Sequence, residues 1–342
     1  MEYTLRKMEQ EDGEKIMATL KDVAKEAGLT VTTVSRILNN RGYISDEARQ
    51  KVADAMKKLN YRPNEVARAL QNKSSNLIGL IVPHIRHPYF AEAISNVENE
   101  AYKKGYKILL CNSQCMDERE REYIEICSSN RVAGIILFSG QIAVDAFVNL
   151  DVPVITIERF LDNGTASVEC DNYEGGKLAA RKLIACGCRH LVHVGSVNRS
   201  LPMPADLRSK GFQELCDQEG VSFMEVVTED DQFNSMNYSD MLERILTEHP
   251  KTDGIFTNND IIAAQALQVC HKLGVPVPGR LKIIGFDDVS IASLTTPMLT
   301  TIHQPMKEIA EAAVDLLDRA SKGKLVARRT VLPVTLIERE TT

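Results

Sequence analysis

Side chains suited to holding a small polar molecule stand just past short apolar runs of this 342-residue chain. Tyr89 and Phe90 follow NLIGLIVP, and Asp171 and Asn172 open a helical stretch. Arg208 lies in DLRSKGF, Asn259 follows GIFTN, Asp287 follows LKIIGF, and Gln304 lies in LTTIHQP. Carboxylate, carboxamide and guanidinium groups each present two polar atoms at a spacing that matches neighbouring hydroxyls. Aromatic faces cover the apolar faces of a sugar ring, and with no Trp in the chain that contact falls to Phe and Tyr. Alternatives stand beside this reading. Arg208 and Asp287 can pair with each other, and Asn259 can cap the helix that follows it. Glu158 and Arg159, after VPVITI, read as an exposed or lobe-linking pair rather than a phosphate site. Turnover chemistry has no support: G-x-S-x-G, H-E-x-x-H, a P-loop and G-x-G-x-x-G are all absent. His84, His87 and His303 read as background, and none of the eight cysteines forms a C-x-x-C pair, so neither a metal nor another cofactor is expected.

A second constellation occupies residues 30–39. Val31, Thr32, Thr33, Ser35 and Arg36, with Asn39 beyond them, put short hydroxyl- and methyl-bearing side chains and one Arg on a single helix face. Such a set suits the floor of a DNA major groove, where Arg bridges guanine O6 and N7. Charge agrees. Residues 17–73 hold 11 Lys+Arg against 6 Asp+Glu, a net +5, whereas residues 74–342 hold 27 against 36, a net −9. A basic head on an acidic body fits a separate module for nucleic acid.

The elements that position these groups follow from periodicity. In LKDVAKEAGLTVTTVSRILN, Leu20, Val23, Ala24 and Ala27 and then Val34, Ile37 and Leu38 repeat with a period near 3.6, broken at Gly28. That is two short helices with a sharp turn between them, Thr30 capping the second. A third helix starts at Ser45 and runs to about Leu59. From residue 77 onward short apolar strands alternate with longer helices, which predicts parallel sheets in two Rossmann-like lobes with ligands held past the strand ends. At 342 residues, 44% hydrophobic and 26% charged, the chain fits two or three ordinary folded units. No apolar run approaches the roughly 20 residues of a membrane span. The charged MEYTLRKMEQEDGEK has no apolar signal core, so a cytoplasmic protein without membrane contact is expected.

The stretch ATLKDVAKEAGLTVTTVSRILNN closely resembles the N-terminal signature of the lac repressor (LacI/GalR) family, and LNYRPNEVARALQNKSSNLIGLIVP resembles its hinge. The resemblance runs from residue 18 to about 340. It implies an all-α helix-turn-helix head at 17–62, a hinge at 63–73 and a bilobed α/β effector domain at 74–342 of the kind seen in periplasmic binding proteins. Residues 1–16 precede the pattern and are read as an extension or a misassigned start ahead of Met17. The resemblance also implies a homodimer on pseudo-palindromic double-stranded operator DNA, acting as a repressor of carbohydrate use that a sugar or sugar phosphate releases. The absence of a heptad tail favours a dimer over a tetramer. A nucleobase or nucleoside co-repressor is the alternative effector, and a solute-binding protein a more distant alternative function. By the same resemblance Arg208, Asn259, Asp287 and Gln304 fall on effector-contacting positions and Tyr89 and Phe90 on the wall of the first lobe. Arg68 and Leu70 fall on the hinge that sits in the minor groove, with Leu70 as a wedge between base pairs. Leu70→Ala should therefore weaken operator binding and reduce DNA bending together, while ligand binding persists. Gel-shift phasing analysis measures both, and unchanged bending would remove the wedge assignment.

Overall fold

Thr19 organises the start of the head. It accepts from the Asp22 amide while the Asp22 carboxylate takes the Thr19 amide, a capping box that opens α1 (Leu20–Ala27). Gly28 closes that helix at φ +65°, a conformation costly for any residue with a Cβ. Thr30 Oγ1 accepts from the Thr33 amide at 3.1 Å and starts α2 (Val31–Leu38). Ser45 caps α3 (Asp46–Lys58) through the Ala48 amide. Val23, Ala24, Val34, Ile37, Val52 and Ala55 form the core of this three-helix unit. Burial of Val34 and Ile37 turns the opposite face of α2 outward. Val31, Thr32 and Arg36 are exposed there, and Thr33 and Ser35 half-buried.

The computed structural model describes residues 18–38, 44–62, 75–138, 150–159, 164–197 and 203–342. Asn39, Arg68 and Leu70, the proposed extension at 1–16 and the hinge at 63–73 lie outside the described residues. The chain divides into two units at Asn72 and Lys73.

The second unit holds two six-stranded sheets. The first lobe contains β1 (Leu77–Val82), β2 (Lys107–Asn112), β3 (Gly134–Leu137), β4 (Val154–Ile157), β5 (Ala166–Cys170) and β11 (Arg329–Leu332), ordered β11-β5-β4-β3-β1-β2 and parallel throughout. The helices α4 (Pro88–Lys103) and α5 (Asp117–Ser129) connect its early strands. The second lobe begins with α6 (Asn172–Ala185), β6 (His190–Val197), α7 (Asp206–Glu219) and β7 (Ser222–Thr228). It continues through α8 (Asp230–Ser235), α9 (Ser239–Glu248), β8 (Gly254–Thr257), α10 (Asp260–Leu273) and β9 (Lys282–Asp287). Next come α11 (Ile291–Leu294) and β10 (Thr300–His303). Its sheet is ordered β12-β10-β9-β8-β6-β7, with β12 (Thr335–Ile337) antiparallel to β10. The strands β1, β3, β4 and β8 are buried almost end to end, which explains why the sequence shows unbroken apolar runs there rather than alternation.

Three crossings join the lobes: between β5 and α6 at Asp171, between β10 and α12 (Met306–Ser321) at Gln304–Pro305, and between β11 and β12. The helix α12 belongs to the first lobe, where Leu317 packs over Gly134. Gln304 thus stands on the second of these crossings.

Two glycines set the approach of α6 to α7. A Cβ on Gly176 would lie 2.0 Å from the Arg208 carbonyl oxygen, and one on Gly211 would lie 2.0 Å from that of Tyr173. The two backbones touch at both points, and the contact seats Arg208. Gly176→Ala or Gly211→Ala should destabilise the protein by about 1–3 kcal/mol or more, because backbone cannot give way as a side-chain tip can. Gly279→Ala, whose Cβ would meet only Pro276 at 3.4 Å, should stay within about 0.5 kcal/mol. Urea unfolding of the three variants tests this, and equal stabilities would refute the close-contact account.

Candidate functional site

A cavity of about 140 Å³ lies between the lobes, past the C-terminal ends of their strands. Clefts for drug-sized ligands run to roughly 300–1,000 Å³, so this one suits a small molecule. The first lobe contributes Tyr89 and Phe90 from α4, Phe138 after β3 and Glu158 after β4. The second contributes Arg208 from α7, Asn258 and Asn259 after β8, and Asp287 at the end of β9. Gln304 enters from the second crossing.

Arg208 is 5% exposed. Its Nε donates to Asn172 Oδ1 at 2.7 Å and its Nη1 to the Asn258 carbonyl at 2.6 Å, and its guanidinium lies 3.5 Å over the Phe286 ring. Asp287 Oδ1 sits 4.0 Å from Nη1 and accepts from Gln304 Nε2 at 2.7 Å. Asp287 and Asp288 both take positive φ, +107° and +59°, a strained turn for residues with a Cβ. Asp260 pins that turn from beneath. It accepts from the Val289 amide at 2.9 Å and from the Thr301 hydroxyl at 2.6 Å. Burial pushes the Asp287 carboxyl up to about 7, against the opposing pull of the Arg208 guanidinium and the Gln304 amide.

Glu158 completes the set from the other lobe. It is buried, its backbone has φ +52°, and its carboxylate accepts from the Cys170 amide at 2.6 Å and from Asn172 Nδ2 at 2.8 Å. One chain of polar contacts therefore runs from Glu158 through Asn172, Arg208 and Asp287 to Gln304, touching both lobes and two crossings.

Three buried polar atoms on the wall have no hydrogen-bond partner: His87 Nε2, Tyr89 Oη and Gln304 Oε1. His87 Nδ1 accepts from the Tyr89 amide at 3.3 Å, and burial pushes its pKa down to about 4. The neutral ring therefore carries its proton on Nε2 and offers a donor to the cavity. At the mouth the lobes meet, with His84 Nε2 2.9 Å from Asn234 Oδ1 and the Phe233 ring 5.4 Å from that of His84.

Six of the seven residues read from the sequence line the cavity: Tyr89, Phe90, Arg208, Asn259, Asp287 and Gln304. Asp171 does not. Its carboxylate accepts from the Glu174 amide at 3.0 Å and caps α6, and its neighbour Asn172 makes the contacts to Arg208 and Glu158 instead. The alternatives for Asn259 and Arg208 turn out to be compatible with lining the cavity. Asn259 caps α10 through the Ile262 amide, and Arg208 faces Asp287. Glu158 is in part a correction: it is buried rather than exposed and lines the cavity, while its bond to Asn172 at the start of α6 keeps the lobe-linking half of the reading. It follows β4 as Asp287 follows the body of β9, so the strand-end rule applied evenly would have found it. Asn172 was read together with Asp171 and not told apart from it, and Phe233 carried no comparable signal. Among the described residues no cluster of His, Cys, Asp or Glu could hold a metal, and no helix is long and apolar enough to cross a membrane.

Residues 19–64 match the family model for bacterial regulatory proteins of the lacI family, and residues 180–342 match a periplasmic binding protein-like domain. The sucrose operon repressor of Streptococcus mutans is 37% identical over 95% of this chain and 99% of its own length. The chain belongs to the LacI family. Among solved LacI-family structures, a regulator from Alkaliphilus metalliredigens complexed with D-xylulofuranose is 35% identical, covering 78% of this chain and 99% of that one with a TM-score of 0.71. The lac repressor dimer bound to operator and the anti-inducer ONPF is 25% identical, covering 95% and 98% with a TM-score of 0.81. The helix-turn-helix head and two-lobed parallel-sheet body are thus those of the LacI family, and the outward face of α2 is the candidate surface for DNA.

The raised Asp287 pKa sets a pH dependence. Between about pH 4 and pH 7 the folded protein holds a proton that the unfolded chain releases, so this group's contribution to stability falls as pH rises through that window. Asp287→Asn removes the titration. The drop in melting temperature from pH 5 to pH 8, measured without ligand, should be smaller in Asp287→Asn than in the wild type; an equal drop would contradict the assignment.

Proposed function

We propose that the protein is a dimeric repressor of a carbohydrate-utilisation operon, and that a small sugar bound between the lobes releases it from its operator. The observation that carries the sugar site is the wall itself. His87 Nε2, Tyr89 Oη and Gln304 Oε1 are buried without partners beside the Arg208–Asp287 pair. A buried polar group left unsatisfied costs about 1–3 kcal/mol, and hydroxyls, each both donor and acceptor, satisfy donors and acceptors alike. A sucrose operon repressor and a D-xylulofuranose complex among its relatives support the same class of ligand.

On DNA, α2 enters the major groove, with Val31, Thr32, Thr33 and Ser35 against base edges and methyl groups and Arg36 on a guanine. Arg68 and Leu70 serve the minor groove, and Asn39 completes the set beyond α2. Each head reads one half-site, so two subunits require a pseudo-palindrome. The protein acts in the cytoplasm, where its operator is, as a regulator rather than an enzyme: the described residues of the cavity are recognition groups, and its relatives include operon repressors.

The direction of control follows from topology. The hinge enters the first lobe only, and a ligand that draws the lobes together rotates the two first lobes of the dimer. The paired hinges then no longer meet in one minor groove. A coupling of about 1–3 kcal/mol is enough for regulation.

Fluorescence anisotropy with labelled operator tests the whole reading. The expected results are tight, steeply salt-dependent binding to a palindromic site, release by one member of a sugar panel, and an Arg208→Ala variant that binds DNA but ignores that sugar. Hypoxanthine that tightens the complex would replace the inducer by a nucleobase co-repressor. A sugar response preserved in Arg208→Ala would move the ligand site elsewhere.

A further inference from the structure

Resting on the reading of the cavity as a sugar site, we propose that its ligand is an uncharged sugar, and that Glu158 excludes phosphorylated and carboxylated counterparts. Among the described residues of the wall the ionisable acids and bases in play are Glu158, Asp287, Arg208 and His87. Two carboxyl groups therefore face one guanidinium, and the imidazole is neutral. That guanidinium is engaged on two of its three nitrogens, and only Nη2 is left to a ligand. Nε is held by Asn172 and Nη1 by the Asn258 carbonyl and, at 4.0 Å, by Asp287. A phosphate monoester needs the reverse: surplus positive charge, or a helix N-terminus with its amides open.

The helix N-termini near the cavity do not supply it. His87 takes the Tyr89 amide at the start of α4, Asp171 takes the Glu174 amide of α6, and Asn259 takes the Ile262 amide of α10. One amide at each of these starts is thereby taken, with His87 and Asn259 themselves part of the wall, and at α7, whose Ala205 and Arg208 also line the cavity, the Asp206, Leu207 and Arg208 amides bond to the Met203, Pro204 and Ala205 carbonyls.

Glu158 contributes the sharpest discrimination. Each carboxylate oxygen has two acceptor sites, and Cys170 and Asn172 fill one on each. The remaining sites want donors. A sugar hydroxyl donates, whereas a phosphate or carboxylate group brings further acceptors and like charge into a cavity of about 140 Å³. Gln304 Oε1, unpartnered and buried, adds another acceptor on the same wall.

The test uses the full-length protein and paired probes in titration calorimetry: D-ribose with ribose 5-phosphate, D-fructose with fructose 6-phosphate and fructose 1-phosphate, D-xylulose with xylulose 5-phosphate, and hypoxanthine as a non-sugar. Wild type should bind at least one free sugar, with its phosphate ester weaker by roughly a hundredfold or more, the scale of a buried like-charge contact. Glu158→Gln should narrow that gap at least about tenfold by letting the ester in. A phosphate ester that binds wild type as well as its parent sugar overturns the proposal and leaves the sugar reading intact. A gap unchanged in Glu158→Gln overturns the assignment to Glu158. Binding of hypoxanthine with no sugar of either kind overturns the sugar reading itself, and so is told apart from the other two failures. Should Glu158→Gln fail to fold, the wild-type pairs alone still decide whether the ligand is uncharged.

Discussion

A guanidinium that is 5% exposed has lost its water and must be solvated by protein. Much of the second unit answers to that requirement at Arg208. A buried charge without full compensation is strongly destabilising, and removing one partner from a buried pair commonly costs several kcal/mol. Asn172, the Asn258 carbonyl, Asp287 and the face of Phe286 supply the compensation. They come from three pieces of backbone, the start of α6, the turn after β8 and the end of β9, so the pieces must be held in register. The Gly176 and Gly211 contacts fix α7 against α6, and Asp260 fixes the strained turn at Asp287 and Asp288. A site built this way is stiff within its lobe, which suits recognition of a small rigid ring.

The same compensation ties ligand chemistry to lobe geometry. Asn172 begins α6 directly after the first crossing, Gln304 stands on the second, and Glu158 belongs to the opposite lobe. A ligand that bonds to Glu158 and Arg208 together bonds to both lobes. It can shift the protein only through a difference in affinity between open and closed arrangements, and a ligand held from both lobes is one that can have such a difference.

Much of this was legible before any coordinates, because the relevant signals are local. Period-3.6 apolar spacing with Gly28 between two runs marks the paired helices of the head, and Gly28 indeed needs φ +65°. Unbroken apolar runs mark buried parallel strands, and polar residues just past them mark the cavity wall. What stayed hidden is what depends on tertiary neighbours. The strand β7 alternates on an outer position beside β6, and β5 carries Glu169 within it, so neither shows a clean apolar run. Asp171 and Asn172 are both polar residues at a helix start. Only the fold decides that the first caps the helix while the second reaches Arg208 and Glu158. Glu158 was only half read for a related reason: beside Arg159 an acid fits an exposed pair as well as a link between lobes until the positive φ at Glu158 turns its carboxylate toward the Cys170 amide.

Closure itself has a physical cost that makes the protein a usable switch. With the lobes together, His87 Nε2, Tyr89 Oη and Gln304 Oε1 have no protein partner. At about 1–3 kcal/mol per unsatisfied group, that opposes closure by several kcal/mol unless something in the cleft satisfies them. Contacts between the lobes offset it: the hydrogen bonds of His84 with Asn234 and of Glu158 with Asn172 contribute about 0.5–1.5 kcal/mol each, and aromatic pairing with Phe233 a similar amount. These contributions and the cost of the three unsatisfied groups are of similar size. A ligand whose hydroxyls satisfy them in the closed arrangement tips the balance. The margin that regulation needs, about 1–3 kcal/mol of coupling, is no larger than the penalty those three atoms set, so satisfying them is a change of the right size.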